Sequence, residues 1–122
     1  MDTSDEIPLE DHRYFQARLS HLEQRQPVML LVLLERRELT GHLRSVVMRA
    51  MNTLGDFVIN QGLPLNQADE LVMKQIVADP HEKPAFLKDR INREKLRTLL
   101  RDYRATLPSL PRTYLSQQQI TE

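Results

Sequence analysis

The chain contains no cysteine and no tryptophan, and it has only three glycines among 122 residues. The absence of cysteine excludes disulfide bonds, thiol catalysis and structural zinc sites built on thiolates. Three glycines are too few for a glycine-rich phosphate-binding loop, and they argue against a β-rich fold with many tight turns. Since aromatic residues make up 5% of the chain, we expect aliphatic side chains, mainly Leu and Val, to fill the core.

Charge of one sign does not predominate over the whole chain, because seventeen Lys and Arg residues balance seventeen Asp and Glu residues. This neutrality argues against a polycation that coats nucleic acid and against an acidic mimic of nucleic acid. The two parts of the chain nevertheless differ. Residues 1–79 contain eight basic and twelve acidic residues, a net charge of −4, whereas residues 80–122 contain nine basic and five acidic residues, a net charge of +4.

The sequence shows neither a signal peptide nor a membrane-spanning run. Five acidic residues precede the first arginine, whereas a signal peptide begins with basic residues followed by an apolar stretch. The longest continuous apolar run covers the seven residues 28–34, far fewer than the about 20 that a spanning helix needs. We therefore expect a soluble protein with a cytoplasmic location and no association with a membrane.

Apolar residues recur at helical spacing from Asp11 onwards, with Arg18 placed away from the apolar face of the first helix. Pro27 disfavours helix before it and fits a first helical turn, so one helix should end near Arg25 and a second should begin at Pro27. The run 28–34 favours a helix, because Leu and Met outnumber β-branched residues and no other run offers a strand partner. Being apolar on all sides, this helix is predicted to lie at the centre of a bundle.

Three further helices are predicted. One begins at Leu39 and ends before Gly62, a residue suited to a left-handed helix end. The next has Asn66 as its N-cap. The last covers residues 84–107, with a kink or restart near Asn92 because the apolar positions on either side do not share one face.

These elements predict an all-α protein, a single-domain antiparallel bundle of four to five helices over residues 11–107. A chain of 122 residues has room for one such domain. An acidic flexible N-terminus, residues 1–10, precedes the bundle, and an extended or disordered tail, residues 108–122, follows it. We also expect self-association, because a homodimer would cover the apolar helix at residues 28–34.

The candidate binding residues are five arginines in the last predicted helix: Arg90, Arg93, Arg97, Arg101 and Arg104. Steps of three and four residues place them on one face of a continuous helix, although a kink at Asn92 would detach Arg90. Such a face can bind phosphates or an acidic partner. It can also be a solvated face partly neutralised by Asp89 and Glu94, or pair with the acidic part of the same chain. No aromatic residue is interleaved, so stacking of nucleic-acid bases is not supported.

Other constellations do not indicate catalysis. Glu35, Glu38 and His42 fall near one helical face, but the Glu-x-x-x-His spacing differs from the Glu-x-x-His of di-metal bundles and occurs once. We interpret them as exposed polar residues at a helix junction. No serine lies in a Gly-x-Ser-x-Gly elbow. We therefore expect no enzymatic activity, no metal site and no cofactor.

Four methionines fall in helical apolar stretches: Met29, Met48, Met51 and Met73. Flexible methionine side chains can form an adaptable groove for a partner. Methionine is also a common core residue, and we interpret these four as core.

One stretch of the chain carries a family resemblance through Leu22, Pro27, Leu33, Leu34, Leu39, His42, Leu43, Ala50 and Gly62. Their order resembles that of TnpV, a family of small transposon-encoded proteins, over about residues 14–60. The chain departs from that family at residues 35–37, where a Ser-Gly-type turn is usual, and it lacks the family's tryptophan-containing C-terminal segment. The resemblance implies a bacterial mobile element as the context. It implies no catalytic residues, because the family has no established biochemical activity.

Two classes of function remain open. The first is a non-catalytic helical interaction or adaptor protein, an accessory of a bacterial mobile element or of a regulatory complex, with a protein partner. The second is a nucleic-acid-binding accessory protein that uses the arginine face. Salt distinguishes them, because phosphate binding weakens steeply with salt concentration and an apolar protein interface responds little.

Overall fold

The computed structural model describes residues 13–107, which form helices and contain no strand. Five helices, numbered in chain order, are α1 (Arg13–Arg25), α2 (Pro27–Glu35), α3 (Leu39–Gly55), α4 (Leu65–Val72) and α5 (Arg90–Thr106). α3 and α4 each continue into five residues of π-helix, Asp56–Asn60 and Met73–Val77. The all-α class is confirmed for this part of the chain. The predicted acidic N-terminus, the predicted tail and a first helix beginning at Asp11 concern positions outside the described residues.

The junction between α1 and α2 lies where the sequence predicts it. α1 ends at Arg25, and Pro27 occupies the first position of α2. The buried side chain of Gln26 between them donates a hydrogen bond to the carbonyl oxygen of Lys83 at 2.8 Å. The amide of Ala85 donates to the carbonyl oxygen of Arg25 at 3.1 Å. The chain that precedes α5 is thus held against this junction.

The core lies where α1, α3 and α4 meet and extends to the contact between α2 and α5. Its side chains are mainly aliphatic, as the composition predicts, and a fully buried Leu or Val contributes about 1.5–3 kcal/mol. The buried set includes Tyr14, Phe15, Leu19, Leu22, Leu30, Leu39, Leu43, Val47, Ala50, Val72, Leu96 and Leu100.

Residues 28–34 are helical, and α2 is not covered on all sides within the single chain. Leu30 and Leu31 are buried, whereas Val28, Met29 and Val32 are 36–40% exposed. α2 packs on α1, α3 and α5 and presents these three residues to solvent. Its central position in a bundle and the homodimer that would cover it stay predictions.

The contacts of α2 with α5 and with the residues just before α5 advance in the same order along both segments. The amide of Val28 donates to the carbonyl oxygen of Ala85 at 3.4 Å, and further along both segments Lys95 forms an ion pair with Glu35. These contacts do not establish an antiparallel order of the helices, which stays a prediction.

The last helix begins later than predicted. Residues 84–89 are not helical, and α5 begins at Arg90 because the carboxylate of Asp89 caps it, accepting a hydrogen bond from the amide of Ile91 at 2.9 Å. Of the kink or restart predicted near Asn92, the structure shows a helix start two residues earlier, at Arg90, and no break from there to Thr106. Of the residues that did not fit the apolar face, Phe86 and Leu87 lie before α5, whereas Ile91 lies in its first turn and is 72% exposed.

The turn between α3 and α4 confirms one predicted feature and corrects another. Gly62 has a φ of +68°, the left-handed conformation expected after a helix end. Asn66 is not the N-cap, because α4 begins at Leu65 with Pro64 in the capping position.

Three of the four methionines are not core residues. Met48 and Met51 are 51% and 44% exposed, because on α3 Met48 lies opposite Leu43 and Ala50 and Met51 lies at the edge of that open side. Met29 lies on the open side of α2, and only Met73 packs against the core.

No helix in residues 13–107 has the length and apolar character needed to cross a membrane.

Replacing Gly62 with alanine should lower the free energy of unfolding by about 1–2 kcal/mol, because a side chain disfavours the left-handed conformation. Gly55→Ala is the matched control, since Gly55 has a helical φ of −59° and should gain about 0.5–1 kcal/mol. An added Cβ would meet no atom within 4 Å at either site, so the comparison isolates backbone conformation. Urea denaturation followed by circular dichroism measures both, and equal effects would contradict this account.

Candidate functional site

All five predicted arginines lie on the exposed side of α5. Arg90 belongs to the same uninterrupted helix as the other four, because α5 begins at this residue and does not bend near Asn92. The structure therefore brings the predicted residues onto one helix.

Three of these arginines form ion pairs. Arg104 meets Glu23 of α1 at 2.7 Å, whereas Arg90 meets Glu94 at 3.1 Å and Arg101 meets Asp102 at 3.7 Å within α5. Neutralisation within α5 is thus partial, since Asp89 caps the helix and Glu94 pairs with Arg90 alone.

Arg93 and Arg97 form no ion pair with any residue from 13 to 107, and both are exposed. They lie one turn apart on α5, on one side of two leucines, Leu96 and Leu100, which are 8% and 4% exposed. Two unneutralised guanidinium groups thus lie beside a nearly buried pair of leucines.

These residues line a cavity of about 470 Å³ between the end of α1 and α5, which we call the arginine groove. Leu96 and Leu100 form its floor, and the aliphatic stems of the arginines extend that apolar surface towards the charged heads. Glu23 closes one side, and Arg90 lies outside. The lining consists of Glu23, Arg93, Leu96, Arg97, Leu100, Arg101 and Arg104.

A second polar site, the Arg18 cluster, surrounds a guanidinium that is almost completely buried and comprises Arg18, His21, His42, Val77 and Glu82. Arg18 donates to both carboxylate oxygens of Glu82 at 2.8 and 2.7 Å and to the carbonyl oxygen of Val77 at 2.8 Å. Its Nε donates to Nε2 of His42 at 3.2 Å. The cluster thus ties α1 to α3, to the end of the π-helix after α4 and to the loop that follows.

The two histidines of the cluster are held in the neutral form. The pKa of His21 and the pKa of His42 are both lowered, first by burial and then by the positive charge of Arg18. Nε2 of His21 lies 3.7 Å from Glu82 and has no hydrogen-bond partner among residues 13–107. The hydrogen bond from Arg18 lowers the pKa of Glu82, which keeps that carboxylate charged.

Two groups of the cluster, Glu82 and His42, are already engaged in hydrogen bonds that hold the fold. Both oxygens of Glu82 accept from Arg18, and the Nε2 lone pair of His42 is occupied, so neither group is available as a general base. Residues 13–107 contain no group of three His, Asp or Glu side chains arranged to hold a metal ion. Glu35 pairs with Lys95 and does not join His42.

Sequence reasoning missed the Arg18 cluster because it placed Arg18 away from the apolar face. Arg18 comes three residues after Phe15 and four before Leu22, so it lies at the edge of the buried stripe. The only local sign of the cluster in the sequence is a charged residue at the edge of the apolar stripe. The partner, Glu82, lies 64 residues away and carries no local pattern that links it to Arg18.

Comparison of the chain with protein-family models, with curated proteins and with solved structures found no match. The resemblance to TnpV stays a prediction.

Replacing Glu82 with glutamine should leave Arg18 buried without a countercharge. We expect a loss of about 2–3 kcal/mol in the free energy of unfolding, less than the about 3–5 kcal/mol of a fully buried pair, because the side chain of Glu82 is 24% exposed. Glu94→Gln breaks an exposed pair with Arg90 and should cost at most about 0.5 kcal/mol. Urea denaturation compares the two variants, and similar losses would refute a structural role for the cluster.

Stability should fall as the pH decreases below about 6.5, the ordinary pKa of histidine. Because His21 and His42 have lowered pKa values in the folded protein, the unfolded chain binds protons that the folded protein excludes. The double variant His21→Gln and His42→Gln should therefore lose less stability than the wild type between about pH 7.5 and about pH 5.5. Thermal unfolding at the two pH values measures this, and equal pH dependence would count against neutral histidines.

Proposed function

We propose that this protein is a non-catalytic interaction protein whose arginine groove binds a segment of a protein partner. The observation that carries the proposal is the pair of exposed arginines, Arg93 and Arg97, which lack a carboxylate partner in the described part of the chain and lie beside the Leu96 and Leu100 floor. An acidic polypeptide with apolar side chains would satisfy both features.

The apolar floor favours a protein partner over nucleic acid. Phosphate recognition uses hydrogen-bond donors and positive charge, and it gains little from the Leu96 and Leu100 floor beside the donors. Arginine is typical of protein–protein interfaces, because its charged head and its aliphatic stem can both contact a partner.

Binding of nucleic acid is the second candidate function, and the same exposed Arg93 and Arg97 support it. Both guanidinium groups are free of ion pairs with residues 13–107 and could contact adjacent phosphates.

We also propose that the protein acts in a regulatory complex or a bacterial mobile element and that it is cytoplasmic. We propose further that it forms a homodimer through the open side of α2. The exposed Val28, Met29 and Val32 support the homodimer.

Two labelled probes of similar charge test the class of partner: an oligoglutamate of about 20 residues and a DNA duplex of about ten base pairs. We expect the protein to bind the oligoglutamate more tightly at physiological salt. Arg93→Gln with Arg97→Gln should weaken that binding at least about tenfold, because two charge-assisted contacts are lost. Fluorescence anisotropy at low and at physiological salt measures both probes.

The charge-matched control is Arg36→Gln with Lys74→Gln, two exposed residues outside the groove, which should leave binding unchanged. Tighter binding of the duplex, with a salt slope that flattens by about two units in the Arg93 and Arg97 variant, would support the nucleic-acid function instead. Binding of neither probe would overturn both functions of the groove.

A further inference from the structure

We infer that the partner segment is an acidic amphipathic helix, which places carboxylates on the groove's arginines, displaces Glu23 from Arg104 and packs an apolar ridge on the Leu96 and Leu100 floor. This inference rests on the proposed function, since it names the chemistry of the partner for the same groove. Three features of the groove carry it.

The first feature is a carboxylate already in the groove. Glu23 reaches across from α1 and accepts a hydrogen bond from Arg104 at 2.7 Å. Both side chains are 43% exposed, so the pair is open to solvent and to competition. Glu23 thus shows how a carboxylate binds to the arginines of the groove. Because Glu23 pairs with Arg104, Arg93 and Arg97 stay available to acidic side chains of a partner.

The second feature is the backbone of the walls. Six of the seven residues that line the groove belong to α5, whose amides and carbonyl groups between residues 93 and 101 are engaged in the helix's own hydrogen bonds. An extended segment would therefore find no backbone partners along α5, and its own polar groups would face the leucine floor unpaired. A helix satisfies its backbone internally and presents only side chains.

The third feature is the spacing of the lining. Leu96 and Leu100 lie four residues apart, as do Arg93 and Arg97, a rise of about 6 Å in each case. Side chains at positions i and i+4 of a docked helix repeat at the same interval. A docked helix with apolar residues at i and i+4 and acidic residues beside them would therefore place the apolar residues on the two leucines and the acidic residues on the two arginines.

Two synthetic peptides of about 18 residues, built from the same numbers of Glu, Leu and Ala, test the inference. In one peptide the leucines recur at i and i+4 with glutamates on both sides; in the other the same residues are scattered around the helix. We expect the patterned peptide to bind at least about tenfold more tightly, as measured by fluorescence anisotropy, and to gain helicity on binding by circular dichroism.

Glu23→Gln removes the internal competitor and should raise the affinity for the patterned peptide about threefold, because an exposed ion pair no longer has to be broken. Glu35→Gln is the matched control, since Glu35 pairs with Lys95 outside the groove and should leave the affinity unchanged.

Equal binding of the two peptides would overturn the inference while leaving the proposed function intact, because charge alone would then explain recognition. An unchanged or lower affinity in Glu23→Gln would overturn the displacement of Glu23. Failure of both peptides and of oligoglutamate to bind would overturn the proposed function itself.

Discussion

The described structure depends on the hydrogen bonds of the Arg18 guanidinium, because they join four segments at one buried point. A buried charge is costly unless its donors find acceptors, and here Glu82, the carbonyl oxygen of Val77 and His42 accept its hydrogen bonds. The loop that carries Glu82 then runs to the junction of α1 and α2, where Gln26 and Arg25 bind its backbone. α5 begins a few residues later and lies along α2, so the position of the arginine groove follows from how that loop is held.

The same guanidinium determines the chemistry of its neighbours. Arg18 takes both oxygens of Glu82, which leaves Nε2 of His21 near that carboxylate without a hydrogen bond. It also uses the lone pair of His42, which a protonated imidazole does not have. A proton on either histidine would add a second positive charge beside Arg18 while only one carboxylate lies in direct contact. The cluster is therefore stable with neutral imidazoles, and this constraint arises from the crowding of three basic groups around Glu82.

The helices were predictable from the sequence because their signals are local. Pro27 marks the start of α2, Gly62 marks the end after α3, and apolar spacing marks the buried faces. The start of α5 was missed although its N-cap, Asp89, is a local signal too, and the chain before it is held by backbone contacts of residue 85 with the distant junction near Arg25. The arginine face could be read from spacing alone, but its groove requires Glu23, which lies 81 residues away from Arg104. The Arg18 cluster escaped prediction for the same reason, because contacts between distant residues leave no periodic pattern.

The opposite net charges of the two parts of the chain, −4 and +4, raise the question of how much of this complementarity is used internally. Glu23 with Arg104 and Glu35 with Lys95 join the acidic part to the basic part across the fold. Arg18 with Glu82 joins them in the reverse sense, since the basic residue there belongs to the acidic part. Internal pairing thus accounts for Arg104 among the five arginines of α5, while Arg93 and Arg97 remain unneutralised by the described residues. Because they lie beside an apolar floor, the unused charge is concentrated at one place where burial against a partner can strengthen it.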